Sequence, residues 1–324
     1  MALNVENLSV RLSLNKEKFN VIDSVYLTVA DREIVALVGE SGGGKSFLGL
    51  SLMRLNPPGV SKITSGSIFI SGYKNDILKI KDREMIDIRG KLISMIFQDP
   101  NVSLNPVMKI GDQITEAITA HKKISKKAAY ELAVNYLDLM RIDGKARFNS
   151  YPHELSGGMK QRVMIAMAMV LDPAVLIADE PTTALDITTS LQVFALIEKM
   201  RKEKNVSVIF ITHDLSIAKN ISDRIIVFYA GQIMEYGNKD DLIYNPVHPY
   251  TMSLIRSIPA LSKDYVPGQK LFTIEGSLSL NDFQKGKCRF YDRCFKKSEE
   301  CLNEIPLKNI KNGRLVRCIK VQNY

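Results

Sequence analysis

The stretch EIVALVGESGGGKSFLGLSLM, residues 33–53, decides how this sequence folds. The apolar residues at 34–38 are typical of a short buried parallel strand. Residues 39–46 then have the spacing G-x-x-x-x-G-K-S, and a helical apolar pattern follows through Leu48 and Leu52. The order strand, glycine-rich loop and helix is the structural context that a phosphate-binding loop requires. The stretch therefore predicts an α/β protein that binds a nucleotide.

Each residue type in this loop has a chemical task. Glycines allow backbone N–H groups to turn inward and surround phosphate oxygens without a clash from a Cβ. Lys45 places a cation on the β- and γ-phosphates, and the hydroxyl of Ser46 can bind Mg²⁺. The helix that follows directs its N-terminus at the anion. The predicted nucleotide-binding residues of the loop are Gly39, Ser41, Gly42, Gly43, Gly44, Lys45 and Ser46.

Two carboxylates follow a second apolar run, AVLIADEPTTALD at residues 174–186. Residues 175–178 predict a buried strand, and Asp179 and Glu180 stand at its end. Because neighbouring strand residues point to opposite faces, the two carboxylates can have different roles. Asp179 is placed to hold Mg²⁺, and Glu180 to orient and deprotonate an attacking water.

Two further segments predict polar groups near a nucleotide. The run VSVIFITHD, residues 206–214, predicts a strand that ends at His213. We interpret His213 as a catalytic or γ-phosphate-sensing residue rather than a structural one, because open α/β sheets bind ligands at the carboxyl ends of their strands. The segment YPHELSGGMKQRVMIAMAMVL, residues 151–171, predicts a helix that begins near Gly157 with Ser156 as its N-cap. This helix start is a second anion-binding N-terminus.

Together these motifs resemble those of the ATP-binding cassette (ABC) ATPases. GESGGGKS is similar to the Walker A motif of that family, VLIADEP to Walker B, LSGGMKQR to the signature, and ALD, ending at Asp186, to the D-loop. Gln98 in MIFQDP is similar to the Q-loop residue, and His213 to the switch histidine. In this family two cassettes pair head to tail, and each ATP lies between the Walker A of one subunit and the signature of the other.

The resemblance implies a role for each matching residue. Glu180, His213 and Gln98 are the expected catalytic residues, and Ser46, Gln98 and Asp179 are expected to hold Mg²⁺. The aromatic residue that usually stacks on adenine in this family has no clear counterpart at residues 12–19. Phe19, at the end of that segment, is the candidate for this role. The signature residues expected to act in trans are Ser156, Gly157, Gly158 and Gln161.

Longer segments narrow the resemblance to the ATPases of oligopeptide and dipeptide importers, a group that also serves nickel and other small solutes. It covers essentially the whole chain and departs from the group at Glu275-Gly276, where a Pro-Gly pair is common. The segments that carry it are IFQDPNVSLNP at 96–106, YPHELSGGMKQRVMIAMA at 151–168, IADEPTTALD at 177–186 and NPVHPYTMSLIRSIP at 245–259.

This resemblance implies an ATP-hydrolysing subunit, with ATP and Mg²⁺ as cofactors, that powers uptake of dipeptides or oligopeptides. Its place would be peripheral, on the cytoplasmic face of the cell (inner) membrane. The implied partners are two permease subunits, whose coupling helix is received near Asp99–Pro106, and a second ATPase subunit, with a heterodimer favoured over a homodimer. An extracytoplasmic solute-binding protein would act indirectly. The alternatives are an importer ATPase for nickel, a metallophore or another small solute, an exporter ATPase, and a soluble nucleic-acid ATPase.

The predicted fold class is α/β: an ABC-type P-loop ATPase core with an inserted helical subdomain and a small cysteine-containing C-terminal extension. Residues 125–141, SKKAAYELAVNYLDLMR, predict an amphipathic helix within the insertion. The predicted boundaries are 1–245 for the ATPase domain, with its core at 1–97 and 172–245 and the helical subdomain at 98–171, and 246–324 for the extension.

Composition and charge limit the class of protein. The N-terminus lacks the apolar stretch of a signal peptide, and no apolar run reaches the roughly 18 residues of a membrane span, so we expect a cytosolic protein. The formal net charge is +9, and from Pro246 to Tyr324 there are 14 Lys and Arg against 7 Asp and Glu, which gives this segment +7. A basic tail can contact nucleic acid or an anionic membrane, or form a solvated surface. We expect no nucleic-acid partner, because no aromatic-rich nucleic-acid module accompanies the charge.

All four cysteines lie in this basic tail, three of them in KCRFYDRCFKKSEEC at residues 287–301. The spacing C-x5-C-x6-C-x16-C lacks the close cysteine pairs of most structural zinc sites. Four thiolates without histidine also suit an iron–sulfur cluster. The four candidate metal ligands are Cys288, Cys294, Cys301 and Cys318.

Basic residues lie close to these cysteines in the sequence and should influence the ionisation of the thiols. Nearby cations favour thiolates over thiols. The resemblance to peptide importers, some of which hold a [4Fe–4S] cluster in this tail, implies such a cluster here, while Zn²⁺ and unmetallated thiols stay open as alternatives. The cations near the cysteines in sequence are Lys287, Arg289, Arg293, Lys296, Lys297 and Arg317.

Overall fold

The structure is a computed structural model of the 324-residue chain. It describes residues 1–14, 17–182, 185–262, 265–266, 268–283 and 286–321. The strands in this part of the chain are β1 (Leu3–Leu14), β2 (Glu17–Val29), β3 (Ile34–Val38), β4 (Ser61–Ile70), β5 (Ile93–Ile96), β6 (Val175–Asp179), β7 (Ser207–Thr212), β8 (Arg224–Tyr229), β9 (Gln232–Asn238), β10 (Lys308–Asn309) and β11 (Leu315–Val316).

Helices separate most of these strands. The α-helices are α1 (Lys45–Leu52), α2 (Asp82–Ile88), α3 (Pro100–Ser103), α4 (Ile110–Thr119), α5 (Lys126–Leu139), α6 (Gly144–Arg147), α7 (Gly157–Met169), α8 (Ile187–Lys204), α9 (Leu215–Ile221), α10 (Lys239–Tyr244) and α11 (Pro249–Arg256). Short 3₁₀ turns include Leu280–Phe283, Tyr291–Arg293 and Glu299–Leu302 in the C-terminal tail. Among the described helices, none has the length and apolar character needed to cross a membrane.

The chain divides into two compact units. The first consists of Met1–Leu3, Val29–Glu33 and Phe69–Ile209, and the second of Asn4–Thr28, Ile34–Ile68 and Phe210–Tyr324. These boundaries differ from the predicted domain boundaries at residues 97, 171 and 245, which remain a prediction.

The first unit joins a parallel strand pair to a group of helices. β5 pairs parallel with β6 from Ile93 opposite Val175 to Ile96 opposite Ala178, and every residue of both strands is buried. Because β6 is buried on both faces, its sequence is a continuous apolar run rather than an alternation of apolar and polar residues. α4, α5 and α7 pack on one another in the same unit. The predicted amphipathic helix is α5, whose N-cap Ser125 accepts a hydrogen bond from the Ala128 N–H.

The second unit is built on a mixed sheet. β3 pairs parallel with β8, β8 antiparallel with β9, β9 antiparallel with β11, and β11 antiparallel with β10. A smaller sheet has the order β2-β1-β4. The last two strands of the main sheet come from the C-terminal tail, with Val316 of β11 opposite Glu235 of β9. The tail is therefore continuous with the sheet that carries the phosphate loop.

Candidate functional site

The phosphate loop follows directly from β3, as the sequence predicts, and α1 begins at Lys45. Two of its glycines lie too close to other backbone to carry a side chain. A Cβ at Gly39 would lie 2.0 Å from the Phe228 carbonyl oxygen, and one at Gly44, where φ is +97°, would lie 2.7 Å from the Val21 carbonyl oxygen. Glycine at these positions lets the loop turn back along the sheet without a clash from a Cβ.

Lys45 is buried at the centre of this loop. Its ammonium donates hydrogen bonds to the carbonyl oxygens of Gly39 at 2.8 Å and Glu40 at 2.9 Å. The loop is closed on the other side by the Gly231 N–H, which donates to the Gly43 carbonyl oxygen at 2.9 Å. Ser46 is exposed in the first turn of α1. The loop thus holds a cation and a hydroxyl at a helix N-terminus, which suits the phosphates of a nucleotide.

The first unit contributes the carboxylates. Asp179 is the last residue of β6 and is buried, and Glu180 follows it with φ at +44°, a left-handed conformation that is uncommon for residues other than glycine. Gln98, two residues after β5, donates from Nε2 to Oε2 of Glu180 at 3.1 Å. The parallel pairing of β5 and β6 brings the expected Q-loop residue and the expected catalytic base into contact.

The signature segment has the predicted helix start. Ser156 is the N-cap of α7, and its Oγ accepts a hydrogen bond from the Met159 N–H at 3.3 Å. Ser156 and Gly157 are exposed, so the N–H groups of this helix start can meet an anion. Gln161 points elsewhere: it is 2 % exposed, and no described residue is a hydrogen-bond partner of its Nε2.

The signature also contacts the D-loop. A Cβ at Gly158 would lie 2.8 Å from Cγ2 of Thr189, and the Thr189 hydroxyl donates to the Asp186 carboxylate at 2.6 Å. Hydrogen bonds from Thr189 hold the pKa of Asp186 below its usual range. Asp186 is the N-cap of α8, so one residue both begins this helix and fixes the threonine beside Gly158. Residues 183 and 184, which directly precede Leu185, lie outside the described residues, and 184 is the first position of the predicted D-loop motif.

Two more predicted residues belong to the second unit. His213 is exposed and follows the end of β7. Phe19 lies on β2, and its ring is half-buried with its centroid 5.3 Å from that of Phe283 in the tail. The candidate for adenine stacking is therefore already in contact with another aromatic ring of the same unit.

The residues that sequence reasoning missed lie where the tail meets the phosphate loop. Arg293 donates from Nη1 to both carboxylate oxygens of Glu40, at 2.9 and 3.0 Å. Burial alone would lower the pKa of Arg293, but its hydrogen bonds to Glu40 and Tyr229 outweigh burial and the pKa is raised. The two members of the pair are 253 residues apart, and Glu40 occupies a variable position of the loop motif, so no sequence pattern indicates their contact.

A second tail arginine is held beneath the loop. Arg289 is 2 % exposed, donates to the Asp23 carboxylate at 2.7 Å and to the Asn20 carbonyl oxygen at 3.2 Å, and also donates to the Ala230 carbonyl oxygen. Ala230 precedes Gly231, the residue whose N–H closes the phosphate loop. The tail is thus fixed to the second unit by buried charge.

Burial, rather than the nearby cations, dominates the ionisation of these cysteines, although Lys296 acts in the expected direction and favours the thiolates of Cys294 and Cys318. Burial raises the pKa of Cys288 to about 12, and it also raises the pKa of Cys294 and Cys318. The other thiols add to each of these three shifts, which means that the four thiols are close enough to interact. The guanidinium groups of Arg289 and Arg293, predicted to act on the thiols, instead pair with Asp23 and Glu40.

The fit of this thiol group to a metal is incomplete. Four cysteines without histidine are a donor set that suits a cluster. Across the described residues, which include all four cysteines, no group of three or more His, Cys, Asp or Glu side chains is arranged to hold a metal ion. The prediction of metal ligation by these cysteines is therefore not supported by the arrangement of the side chains.

Comparisons with known proteins define the class. A family model described as "ABC transporter" matches residues 22–183, and one described as "Oligopeptide/dipeptide transporter, C-terminal region" matches residues 234–301. A solved dimeric structure of the ATP-binding cassette MJ0796 in a post-hydrolysis state, bound to ADP and Pi, is similar at a TM-score of 0.65 and 27% identity over 73% of this chain and 98% of that one. The structure of cbiO1 from Clostridium perfringens, part of the ABC transporter complex cbiONQ, is similar at a TM-score of 0.64 and 25% identity. The match covers 75% of this chain and 91% of that one. The fold and the loop are those of an ATP-binding cassette.

Full-length relatives define the family. The oligopeptide transport ATP-binding protein AppD of Bacillus subtilis is 43% identical over 98% of this chain and 95% of its own. The oligopeptide transport protein OppD of Escherichia coli is 41% identical, and the dipeptide transport protein DppD of B. subtilis 42%, each over 98% of this chain and 93% of its own. The chain belongs to the ABC transporter ATP-binding proteins of the oligopeptide/dipeptide transporter type. The predicted fold class and ATPase activity coupled to transport are confirmed.

Proposed function

We propose that this chain powers the uptake of oligopeptides or dipeptides across the cytoplasmic membrane by hydrolysing ATP. The observation that carries the proposal is similarity at 41–43% identity along nearly the whole chain, C-terminal region included, to ATP-binding proteins of oligopeptide and dipeptide transport. An ABC ATPase of this type works with membrane permease subunits and with a second cassette. A heterodimer, a solute-binding protein outside the membrane, and a peripheral position on the cytoplasmic face are parts of the proposal.

The proposed mechanism starts from the two groups of site residues. The phosphate loop and Lys45 bind the β- and γ-phosphates, and the exposed start of α7, with Ser156 as its N-cap, binds the γ-phosphate of the ATP held by the partner cassette. Glu180, oriented by Gln98, accepts a proton from the attacking water, and His213 contacts the γ-phosphate. Ser46, Asp179 and Gln98 would hold Mg²⁺, which would supply positive charge to offset that developing on the phosphates.

The proposed docking region for the permease follows Gln98. Two large apolar side chains there are almost fully exposed, Val102 at 84% and Val107 at 80%. These two exposed apolar residues lie within ten residues of Gln98 in the sequence, and exposed apolar surface is a feature of many interaction sites. Because Gln98 contacts Glu180, a permease helix seated on this region would act on the catalytic base through a single residue.

A metal cluster in the tail is a separate part of the proposal. Support comes from the mutual influence of the thiols, since neighbouring cysteines add to burial in raising the pKa of Cys288, Cys294 and Cys318, and from a donor set of four cysteines without histidine. A [4Fe–4S] cluster, with Zn²⁺ as the alternative, would require the thiols to draw together from the arrangement described above. Protein purified without oxygen should absorb broadly near about 400 nm if the cluster is present. Colourless protein with one zinc per chain would contradict the cluster, and metal-free protein would contradict both.

Uptake by cells tests the transport proposal. A strain that lacks this chain should lose uptake of labelled dipeptides or oligopeptides, and the wild-type gene should restore it while Lys45→Ala should not. Uptake of nickel ions, measured in the same cells, is the control for the alternative solute. Intact peptide uptake together with lost nickel uptake would contradict the proposal.

A further inference from the structure

The C-terminal tail reaches the phosphate loop through one guanidinium group, that of Arg293. Glu40, its partner, directly follows Gly39, and the main-chain carbonyls of both loop residues accept the Lys45 ammonium. We infer that Arg293 is a positioning residue for ATP: it fixes Glu40 of the phosphate loop and neutralises the Glu40 carboxylate, so that the loop can accept the phosphates. The inference needs only the ATPase activity of the family, so its failure would leave the peptide-transport proposal untouched.

Arg293 is held rigidly enough for this task. Its Nε donates to the Glu275 carbonyl oxygen at 2.8 Å, its Nη2 to the Gly276 carbonyl oxygen at 3.3 Å, and its Nη1 to the Tyr229 hydroxyl at 3.2 Å in addition to Glu40. All three guanidinium nitrogens are therefore engaged, and the side chain is 8% exposed. The planar fork of arginine can make this set of contacts, whereas a lysine ammonium cannot span it.

The partner of Arg293 is anchored at both its side chain and its backbone. The Glu40 N–H donates to the Tyr250 hydroxyl of α11 at 3.1 Å. Tyr229 and Tyr250 are in ring contact with each other and with Phe290, three residues before Arg293. The conformation of the loop at Glu40 is therefore set by side chains that come from outside the loop.

The charge of Glu40 makes the pair important for nucleotide binding. The loop receives a polyanion, and a carboxylate in that loop repels phosphate unless a cation compensates it. The repulsion is stronger at a partly buried position than in bulk water, and the Glu40 side chain is 26% exposed. Removal of Arg293 should therefore weaken ATP binding more than turnover, since the pair acts on the phosphate loop, whereas the expected groups of the chemical step, Glu180 and Gln98, hydrogen-bond each other.

A double-mutant cycle on the full-length protein tests the inference. Arg293→Met should raise the KM for ATP about tenfold while kcat changes less than about threefold. In the double variant Arg293→Met with Glu40→Gln, the KM should return to within about threefold of that of Glu40→Gln alone, because no uncompensated carboxylate remains. The matched control is Lys287→Met, which removes the exposed Lys287–Asp292 ion pair next to the same 3₁₀ turn and should leave KM unchanged.

Two further readouts separate positioning from folding. The melting temperature of each variant should not track the KM. Arg293→Lys, which keeps the charge, should show a KM between those of wild type and Arg293→Met, and this comparison keeps the test decisive if the methionine variant does not fold. An unchanged KM in Arg293→Met, a KM in the double variant as high as in Arg293→Met, or a rise in Arg293→Lys of tenfold or more would overturn the inference.

Discussion

The contact between Gln98 and Glu180 is the decisive feature at the scale of single residues. It joins the residue that follows β5 to the residue that follows β6, and it orients the carboxylate proposed to act as base. Glu180 also has a left-handed backbone conformation that an ordinary residue adopts only where its surroundings impose it. Both facts indicate a side chain whose direction is fixed before substrate binds.

Replacement of Glu180 by Gln should separate ATP binding from hydrolysis. The amide cannot accept the proton of the attacking water, so kcat should fall by roughly 100-fold or more. The affinity for ATP should persist, because the phosphate contacts come from the loop backbone and Lys45. The measurement is steady-state hydrolysis beside equilibrium binding of a fluorescent ATP analogue. Glu203→Gln, on the exposed part of α8, is the control, and turnover retained in Glu180→Gln would remove Glu180 from this role.

Sequence reasoning succeeded where the residues of the site are neighbours in the sequence. Residues 39–46 and the pair Asp179 and Glu180 are read directly after apolar strands, and Ser156 is the helix N-cap that its position predicts. It failed at Arg293, because an ion pair formed across 253 residues leaves no local pattern. For the thiols it gave the direction in which Lys296 acts but not the burial that outweighs it, because sequence spacing does not reveal burial.

At the scale of elements, a buried ion pair fixes the tail to the sheet. Glu235 of β9 is 0% exposed and accepts hydrogen bonds from the N–H groups of Val247 and His248 at 3.1 and 3.0 Å. Arg314, just before β11, donates to the same carboxylate and to the Asn245 carbonyl oxygen. One carboxylate thus holds both the start of α11 and the segment of the tail that enters β11.

Loss of Arg314 should destabilise the protein strongly. In Arg314→Met the Glu235 carboxylate remains buried without its cation, which costs about 3–5 kcal/mol in the free energy of unfolding. The double variant with Glu235→Gln should be less destabilised than Arg314→Met, measured by urea unfolding. Lys320→Met, which breaks the exposed pair with Glu300, should leave the free energy of unfolding nearly unchanged, because water screens a pair at the surface. A loss for Arg314→Met no larger than that of this control would contradict the account.

The N-cap of α11 predicts a pH dependence. His248 is buried, its Nδ1 accepts a hydrogen bond from the Tyr250 N–H, and burial lowers its pKa to about 3 from its ordinary value of 6.5. Below pH 6.5 His248 is protonated in the unfolded chain, whereas in the folded protein it stays neutral until about pH 3. The stability that neutral His248 contributes is therefore lost as the pH falls from 6.5 towards 3. The groups that face it are Glu235, through the His248 N–H, and Arg317.

His248→Asn tests this dependence, because asparagine caps a helix but does not titrate. Between pH 6.5 and 4.5 the free energy of unfolding of the wild type should fall more steeply than that of the variant, by up to about 1.4 kcal/mol per pH unit. Carboxylates titrate in both proteins, so only the difference in slope is diagnostic. Parallel slopes would show that His248 is accessible to protons in the folded state.

At the scale of the whole molecule, the chain is an ATP-binding cassette with a tail that shares its sheet. The apolar runs that form β3, β6 and β7 indicated an α/β protein, and the resemblance of the motifs completed the predicted fold class, whereas the parallel strands β5 and β8 were not predicted individually. The integration of the tail was not predictable, because β10 and β11 are two residues long and carry no period that a sequence pattern can detect. The division into two compact units also follows from contacts distant in sequence.

The central claim is that ATP hydrolysis by this cassette drives peptide uptake. The most direct measurement is ATP hydrolysis by the chain assembled with its permease subunits in lipid vesicles, with peptide-loaded binding protein, without it, or with DNA added. The account predicts that peptide-loaded binding protein raises the rate severalfold, that Glu180→Gln abolishes this rise, and that DNA has no effect. A rate that ignores peptide but rises with DNA or RNA, with steep salt dependence, would contradict it.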